Sequence, residues 1–275
     1  MNRAWDVAFP TGVRDAAGRR TPQRLKLGLQ AWTTPPWAQD IGPDPDPKAV
    51  RQHLLETEAP LTVLDLPPGV PSPLQPEDAA WALRLHTRQL TLNVDEDPVD
   101  AWPHHRRKQW RRAEREGMNA VTTDDVDLLV ALHQASRVRK GIASDAGALH
   151  QLLTELLKET DTHAWLIQDE LGDPVAGGVF HGAGDDRCIY GFGGQFRSDK
   201  AGKSSRASVL LIGTAMRHAA QSGSTTFDFG GSQDPGVDRF YAEFGAETIP
   251  KVRLVRIRGG WKPLLRWRRP DLFPR

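Results

Sequence analysis

From Trp102 onward the chain carries an order of periodic segments that a strictly alternating parallel sheet cannot accommodate. Residues 104–116 hold six basic residues (Arg106, Arg107, Lys108, Arg111, Arg112, Arg115) in a helix-favouring context closed by Gly117. Residues 123–138 place Val126, Leu129, Val130, Leu132 and His133 at helical spacing, and residues 145–159 do the same with Leu149, Leu152, Leu153, Leu156 and Leu157. Strand patterns follow at 164–168, 175–181 and 188–192, the first two joined by the turn at 169–174 as a hairpin. A helix at 205–221 ended by Gly223, a strand at 225–229, a short helix at 237–244 and a last strand at 251–257 complete the series. Hairpins demand antiparallel neighbours and helical crossovers demand parallel ones, so the expected class is mixed α/β.

The first hundred residues are poorer in regular pattern. Proline breaks at 43–47 and 67–76 read as connectors, because proline fixes its own φ and turns its predecessor towards extended conformations. Between and after them the spacing predicts a helix at 48–58 and strands at 61–66 and 83–94. The expected division is an N-terminal lobe over 1–101 and a second domain over 102–275.

The 275 residues carry a net charge of +1 and are 39% hydrophobic, a balance that excludes wholesale disorder. No stretch is apolar enough for a membrane span, and the start MNRAWDVAFP lacks the apolar run of a secretory signal. A lone cysteine, Cys188, excludes a disulfide framework or a cysteine metal cluster, and the chain is expected to be cytoplasmic. No metal is expected: His-Glu-x-x-His is absent, and His104 and His105, adjacent in a helix, cannot face one ion. Gly-x-Ser-x-Gly is also absent, which removes the common hydrolase reading.

Two segments are candidates for chemistry. Residues 191–205 run from a strand into a helix through Gly191, Gly193, Gly194 and Gly202-Lys203-Ser204, and a helix start suits phosphate. A true P-loop needs glycine five positions before Gly202, where Arg197 stands, so that reading is rejected; a polar loop that simply caps the helix is the alternative. The second segment is Phe227-Asp-Phe-Gly-Gly-Ser, then Pro235-Gly-Val, then a helix ending Phe244-Gly-Ala. Strand alternation sets Asp228 opposite Phe227 and Phe229. There it either handles an amine proton on a cleft face or caps the Gly230-Gly231 turn. Asp234 and Glu243 are weaker candidates for a base.

These motifs resemble the FemAB-like branch of the GNAT acyltransferase superfamily. The basic helix Arg111-Arg-Ala-Glu-Arg-Glu-Gly117 and the strand Leu90-Thr-Leu-Asn-Val-Asp95 before it are similar to that branch as well, and the likeness runs from about residue 80 to 257. The resemblance implies a GNAT-type fold in which an acyl thioester lies in a V-shaped split between two parallel strands, here 188–193 and 225–229. The first lobe would be a reduced GNAT-like domain. The resemblance puts the pantetheine arm on Phe192, Gly193 and Gly194, and the diphosphate on Gly202, Lys203, Ser204, Ser205 and Arg206. Aligned on Leu210-Leu211, the superfamily's loop glycine falls on Ser205 and its Gly/Ala position on Ala207. Phe240-Tyr-Ala-Glu-Phe-Gly245 looks like the superfamily's Phe-Tyr-x-x-x-Gly helix, one residue shorter, whose tyrosine protonates the leaving thiolate. Tyr241 therefore either takes that role or simply packs beside Phe240 and Phe244.

The expected activity is N-acyl transfer from acyl-coenzyme A to a small-molecule or peptide amine, with Tyr241 and Asp228 as catalytic candidates. In members that use aminoacyl-tRNA this neighbourhood often carries a lysine instead, so tyrosine points to a thioester donor. Aminoacyl transfer from tRNA to a peptidoglycan or peptide amine is the alternative. The basic helix at 106–115 and the tail (Arg253, Arg256, Arg258, Lys262, Arg266, Arg268, Arg269), interleaved with Trp102, Trp110, Trp261 and Trp267, either suit that alternative as an anion-binding face or are a solvated face offset by Glu114 and Glu116. A non-catalytic binding module of the same fold, with its cleft filled by side chains, is the third reading.

Overall fold

A computed structural model of the protein describes residues 3–9, 23–24, 29–42, 45–142, 144–184, 186–196, 202–231 and 234–274. The helices are α1 (Arg3–Ala8), α2 (Pro47–Glu56), α3 (His104–Arg115), α4 (Val126–Arg139), α5 (Ala146–Leu156), α6 (Lys203–Gln221), α7 (Pro235–Ala242) and α8 (Trp261–Arg268). The strands are β1 (Gln23–Arg24), β2 (Gln30–Thr33), β3 (Leu61–Asp65), β4 (Trp81–Thr91), β5 (Asn119–Thr122), β6 (Thr162–Gln168), β7 (Pro174–Gly182), β8 (Arg187–Gln195), β9 (Thr226–Asp228) and β10 (Glu247–Ile257).

All ten strands form one sheet, in the order β1-β2-β3-β10-β4-β9-β8-β7-β6-β5. It is mixed: β8 pairs parallel with β9 and β2 with β3, and the other pairings are antiparallel. The sheet runs through the division drawn at residue 101, because β4 lies between β10 and β9, bonded to both. β10 begins four residues before its expected start and contains Pro250. Proline is tolerated there because the β3 ladder flanks β10 only from Arg253 onward; at Pro250 the chain beyond β3 meets β10 through Gly69 N–H, which donates to Pro250 O and needs no proline N–H.

Aspartates cap several helices as their sequence positions suggest: Asp125 accepts from Leu128 N, Asp145 from Ala148 N, and Asp46 from Lys48 N. The sheet is buried on both faces. Trp165, Ile167, Phe180 and Phe227 pack with Trp110 of α3 and the apolar side of α6. Ala164, Leu166, Val179 and Phe192 pack with Trp5 of α1, Leu129 and Leu132 of α4, and the leucines of α5. Trp102 and Trp110, expected among the aromatics of a basic face, are core residues, and so is Arg106, which is 2% exposed. Its guanidinium lies over Phe240 and Phe244 and bonds Gln109 and Glu243. Helix periodicity puts Arg106, Trp110 and Ala113 on one inward stripe, and a basic label alone does not reveal that.

Candidate functional site

β8 and β9 run side by side for only three register pairs, Arg187 with Thr226, Cys188 with Phe227 and Ile189 with Asp228. β8 then continues to Gln195, whereas the other chain follows β4, with Phe229 N–H donating to Arg88 O, and turns at Gly230 and Gly231, both with positive φ (+77° and +68°). The sheet therefore opens between the two parallel strands. A β-bulge sits at the opening: Phe180 faces Tyr190 and Val179 faces Phe192, which makes Gly191 the extra residue.

The bulge and strand alternation decide which backbone groups face the gap. Phe196 N–H bonds Val175 O, so Gly194 turns its polar groups to β7, while Gly193 and Gln195 turn theirs into the split. Gln195 is already met there: its N–H donates to Ser136 Oγ at 3.0 Å and its carbonyl accepts from Arg139 Nη1 at 2.7 Å. Gly194 has no room for a side chain, since a Cβ would strike the Leu132 carbonyl of α4, and at Gly193 it would strike the Tyr190 hydroxyl. Phe192 points the other way, into the core under α4, at 3% exposure.

The split widens into a cleft of about 300 Å³, walled by Tyr190, Gly193 and Gly194 from β8, Ser205 and Ser208 from α6, Ser136 and Arg139 from α4, and Val237, Phe240 and Tyr241 from α7. Tyr241 lies against Phe229 with ring centroids 4.7 Å apart, and 6.3 Å from Tyr190. Neither hydroxyl takes a hydrogen-bond partner among the described residues. Burial pushes both phenols well above their ordinary range, and for Tyr241 the neighbouring Tyr190 and Asp234 add to the effect. Both therefore stay protonated at any physiological pH.

Asp228 does not line this cleft. It is 2% exposed, and its two oxygens accept from Thr87 Oγ1 (2.6 Å), Gly230 N (2.8 Å), Gln89 Nε2 (2.8 Å) and Arg187 Nη1 (3.3 Å). Of the two roles open in the sequence, the geometry supplies the turn cap. Asp234 caps α7 and pairs with Lys140 at 2.9 Å, which ties the end of α4 to the start of α7 across the cleft. Glu243 is engaged by Arg106.

At the start of α6, Gly202 takes φ +72° and the first intrahelical bond runs from Arg206 N–H to Gly202 O. Lys203 is 6% exposed and bonds Asp169 at 2.6 Å, with Glu170 at 3.6 Å. Hydrogen bonding from Lys203, with Leu171 N–H assisting, holds the Asp169 carboxyl down at about 2. Arg206 bonds Glu116 at 2.7 Å, and Ser204 donates to Phe196 O. Ser205 alone of the expected diphosphate residues lines the cleft. Residues 197–201 of the connecting loop, including Arg197, lie outside the described residues. Sequence reasoning missed Ser136, Arg139, Gln195 and Ser208. They come from the end of a helix read only for its apolar stripe, and from strand and helix positions that become polar lining only once α4 crosses β8.

A mixed sheet parted between two adjacent parallel strands, with a bulge in the first and a helix start beyond it, defines a GNAT-type acyltransferase fold. The acetyltransferase (GNAT) domain family matches residues 104–241, half of the chain, and the protein belongs to that family. No curated protein matches the sequence. Among solved structures, FemX is 15% identical with a TM-score of 0.54, over 66% of this chain and 63% of its own. A conserved protein of unknown function from Bacteroides thetaiotaomicron VPI-5482 is 12% identical with a TM-score of 0.56, over 83% of this chain and 79% of its own. The chain thus spans less than two thirds of FemX, and at these identities the likeness is one of fold. No helix among the described residues is long and apolar enough to cross a membrane.

Proposed function

We propose that the protein is an N-acyltransferase that moves an acyl group from an acyl-coenzyme A thioester to an amine. The observation that carries this reading is the open split, where Gly193, whose backbone the His133 ring meets from α4, stands in one cleft with the unpartnered Tyr241 hydroxyl. An extended pantetheine arm would pair with Gly193 as a missing strand. It would stop at Gln195, where Ser136 and Arg139 already hold both groups. The neutral amine attacks the thioester carbonyl, the C–N bond forms, and the tetrahedral intermediate collapses with cleavage of C–S. Tyr241 donates a hydrogen bond to the departing sulfur. With its pKa raised, full transfer of the phenol proton to a thiolate is uphill, so the sulfur takes its proton as the nascent ammonium loses one, and the phenol ends protonated. Calorimetric titration with acetyl- and longer acyl-coenzyme A is expected to show binding that Tyr241→Phe retains while transfer is lost. Absence of binding by every thioester ends this reading.

A second reading has one observation in its favour: Lys203 and Arg206, the cations nearest the helix start, are both matched by carboxylates. A donor without a diphosphate, such as the aminoacyl ester of a tRNA used by some FemAB-like proteins, needs no free cation at that point. Binding of charged tRNA that falls steeply with salt, and that Arg111→Ala with Arg112→Ala weakens, would favour it over the thioester.

A further inference from the structure

A second cavity, of about 160 Å³, lies behind the turn that ends β9 and is lined by Gln39, Asp65, His86, Gly230, Gly231, Lys251 and Arg253, with Ala38 and Leu85. Its floor contains a buried cation. Lys251 is 7% exposed, and among the described residues its ammonium has one partner, the Gln39 carbonyl at 2.6 Å, and no carboxylate within ion-pair distance. An ammonium has three N–H donors, and among the described residues no protein group meets the other two, which are left for whatever occupies the cavity. The other buried lysine, Lys203, is met by Asp169 and Glu170. Asp65 does not fill the gap, because Arg253 holds both of its oxygens at 2.7 and 2.9 Å. His86 is bonded to Asp238, which Arg88 also holds. The lining cations Lys251 and Arg253 set against Asp65 leave one positive charge in excess.

The cavity adjoins the strand that walls the acyl cleft: a Cβ on Gly230, which lines the cavity, would lie 2.6 Å from the backbone oxygen of Tyr190, which lines the cleft, and 3.4 Å from Gln39 Nε2. We infer that this cavity is a carboxylate subsite for the acceptor, in which Lys251 binds the carboxylate of an amino acid or of a peptide's terminal residue and so presents its amine towards the split. The assignment rests on the acyltransferase reading for the fate of the amine. The anion site itself rests only on Lys251 and its surroundings. A single negative charge neutralises the excess, and a second would meet Asp65 across the cavity, which favours a carboxylate over a phosphate dianion.

The test uses the full chain with no acyl donor present. L-alanine, L-alaninamide and inorganic phosphate are titrated separately while the amide resonances of Gly230 and Gly231 are followed. L-alanine is expected to move both resonances. L-alaninamide, which keeps the amine and lacks the carboxylate, is expected to need about tenfold more, since a hydrogen bond to a charged group is worth that much or more. Lys251→Met is expected to lose the L-alanine response by a similar factor. Unmoved resonances in the wild-type protein overturn the proposal whether or not the variant folds. So does an L-alanine response that survives in Lys251→Met, or equal responses to alanine and alaninamide. A tenfold preference for phosphate replaces the carboxylate assignment with a phosphate site. Failure of every thioester to bind, with the L-alanine response intact, removes the transferase reading and leaves the subsite. The reverse result removes the subsite alone.

Discussion

The two ends of one parallel strand pair are built on opposite principles. At the closed end Arg187 bridges Asp40 and Asp228 at 3.1 and 3.3 Å, Asp228 takes three further donors, and its buried oxygens are satisfied by the protein itself. Six residues further along β8, at the open end, the sheet parts, only the His133 ring reaches the Gly193 backbone, and two tyrosine hydroxyls lack partners among the described residues. Buried polar groups are hydrogen-bonded almost everywhere in folded proteins, so unmet hydroxyls along a cleft are candidates for contact with a ligand. The start of α6 shows that basic residues beside a glycine-rich turn do not by themselves make such a place, because Asp169 and Glu116 are already there.

Four measurements would break or sharpen this contrast. At the open end, Tyr241→Phe is expected to lower acyl transfer about 10²- to 10³-fold, the worth of one hydrogen-bond donor to the developing charge, while unfolding free energy moves by less than about 0.5 kcal/mol, since the hydroxyl has no partner to lose. Turnover and urea unfolding measured together separate the two effects, and a large loss of stability would make the tyrosine a packing residue. At the closed end Asp228→Asn is expected to do the opposite. It puts an amide where four donors converge and leaves Arg187 short of an acceptor, at a cost of about 3 kcal/mol in urea unfolding. An unchanged denaturation midpoint would show that the closed end is not held as described.

The third measurement is acid sensitivity. Burial is the leading cause that pushes His133, His163, His181 and His218 below their ordinary 6.5. The unfolded chain therefore takes protons first, and stability, level above about pH 6.5, is expected to fall as pH drops through that value. Asp169 and Asp238, both held at about 2, the latter chiefly by Arg88, contribute stability above the ordinary carboxyl value of 3.8 that is lost progressively as pH falls from there through about 2. A melting temperature that rises on acidification from pH 7 to 5 would contradict this. The smallest effect is at the helix start. Asp169→Asn leaves Lys203 paired with Glu170 alone and is expected to tighten acyl-coenzyme A binding about two- to fivefold, the worth of the one charge interaction released, while the loss of a buried partner lowers stability. Weaker binding would place the diphosphate elsewhere.

Much of the fold is legible locally. The leucine stripe of α5 and the apolar run of β3 come close to their expected bounds, because spacing acts within one or two turns of chain, whereas the aspartate caps of α4 and α7 set starts two or three residues from the expected ones. Five other elements escaped notice. α1 is six residues long, β1 two and β2 four, β5 is an edge strand of four, and α8 was read only as a basic tail with Trp267, which is 72% exposed. Short segments carry too few periods to register, and a helix with one buried leucine shows its charges first. In the site, Gly193, Gly194 and Tyr241 stood out through motif and glycine content. Lys251 was only one of several alternating basic residues in a strand.

The sequence by itself determined the mixed order of helices and strands, the glycines that let β8 pass beneath α4, and the phenol on the short helix after β9, because each depends on residues near one another in the chain. Which cations are neutralised was decided only by the tertiary structure. Lys203 meets Asp169 and Arg206 meets Glu116, from 34 and 90 residues away, while Lys251 meets a carbonyl 212 residues away and no carboxylate. Electrostatic pairing depends on distance in space, and that distance is set by how the sheet brings remote strands together.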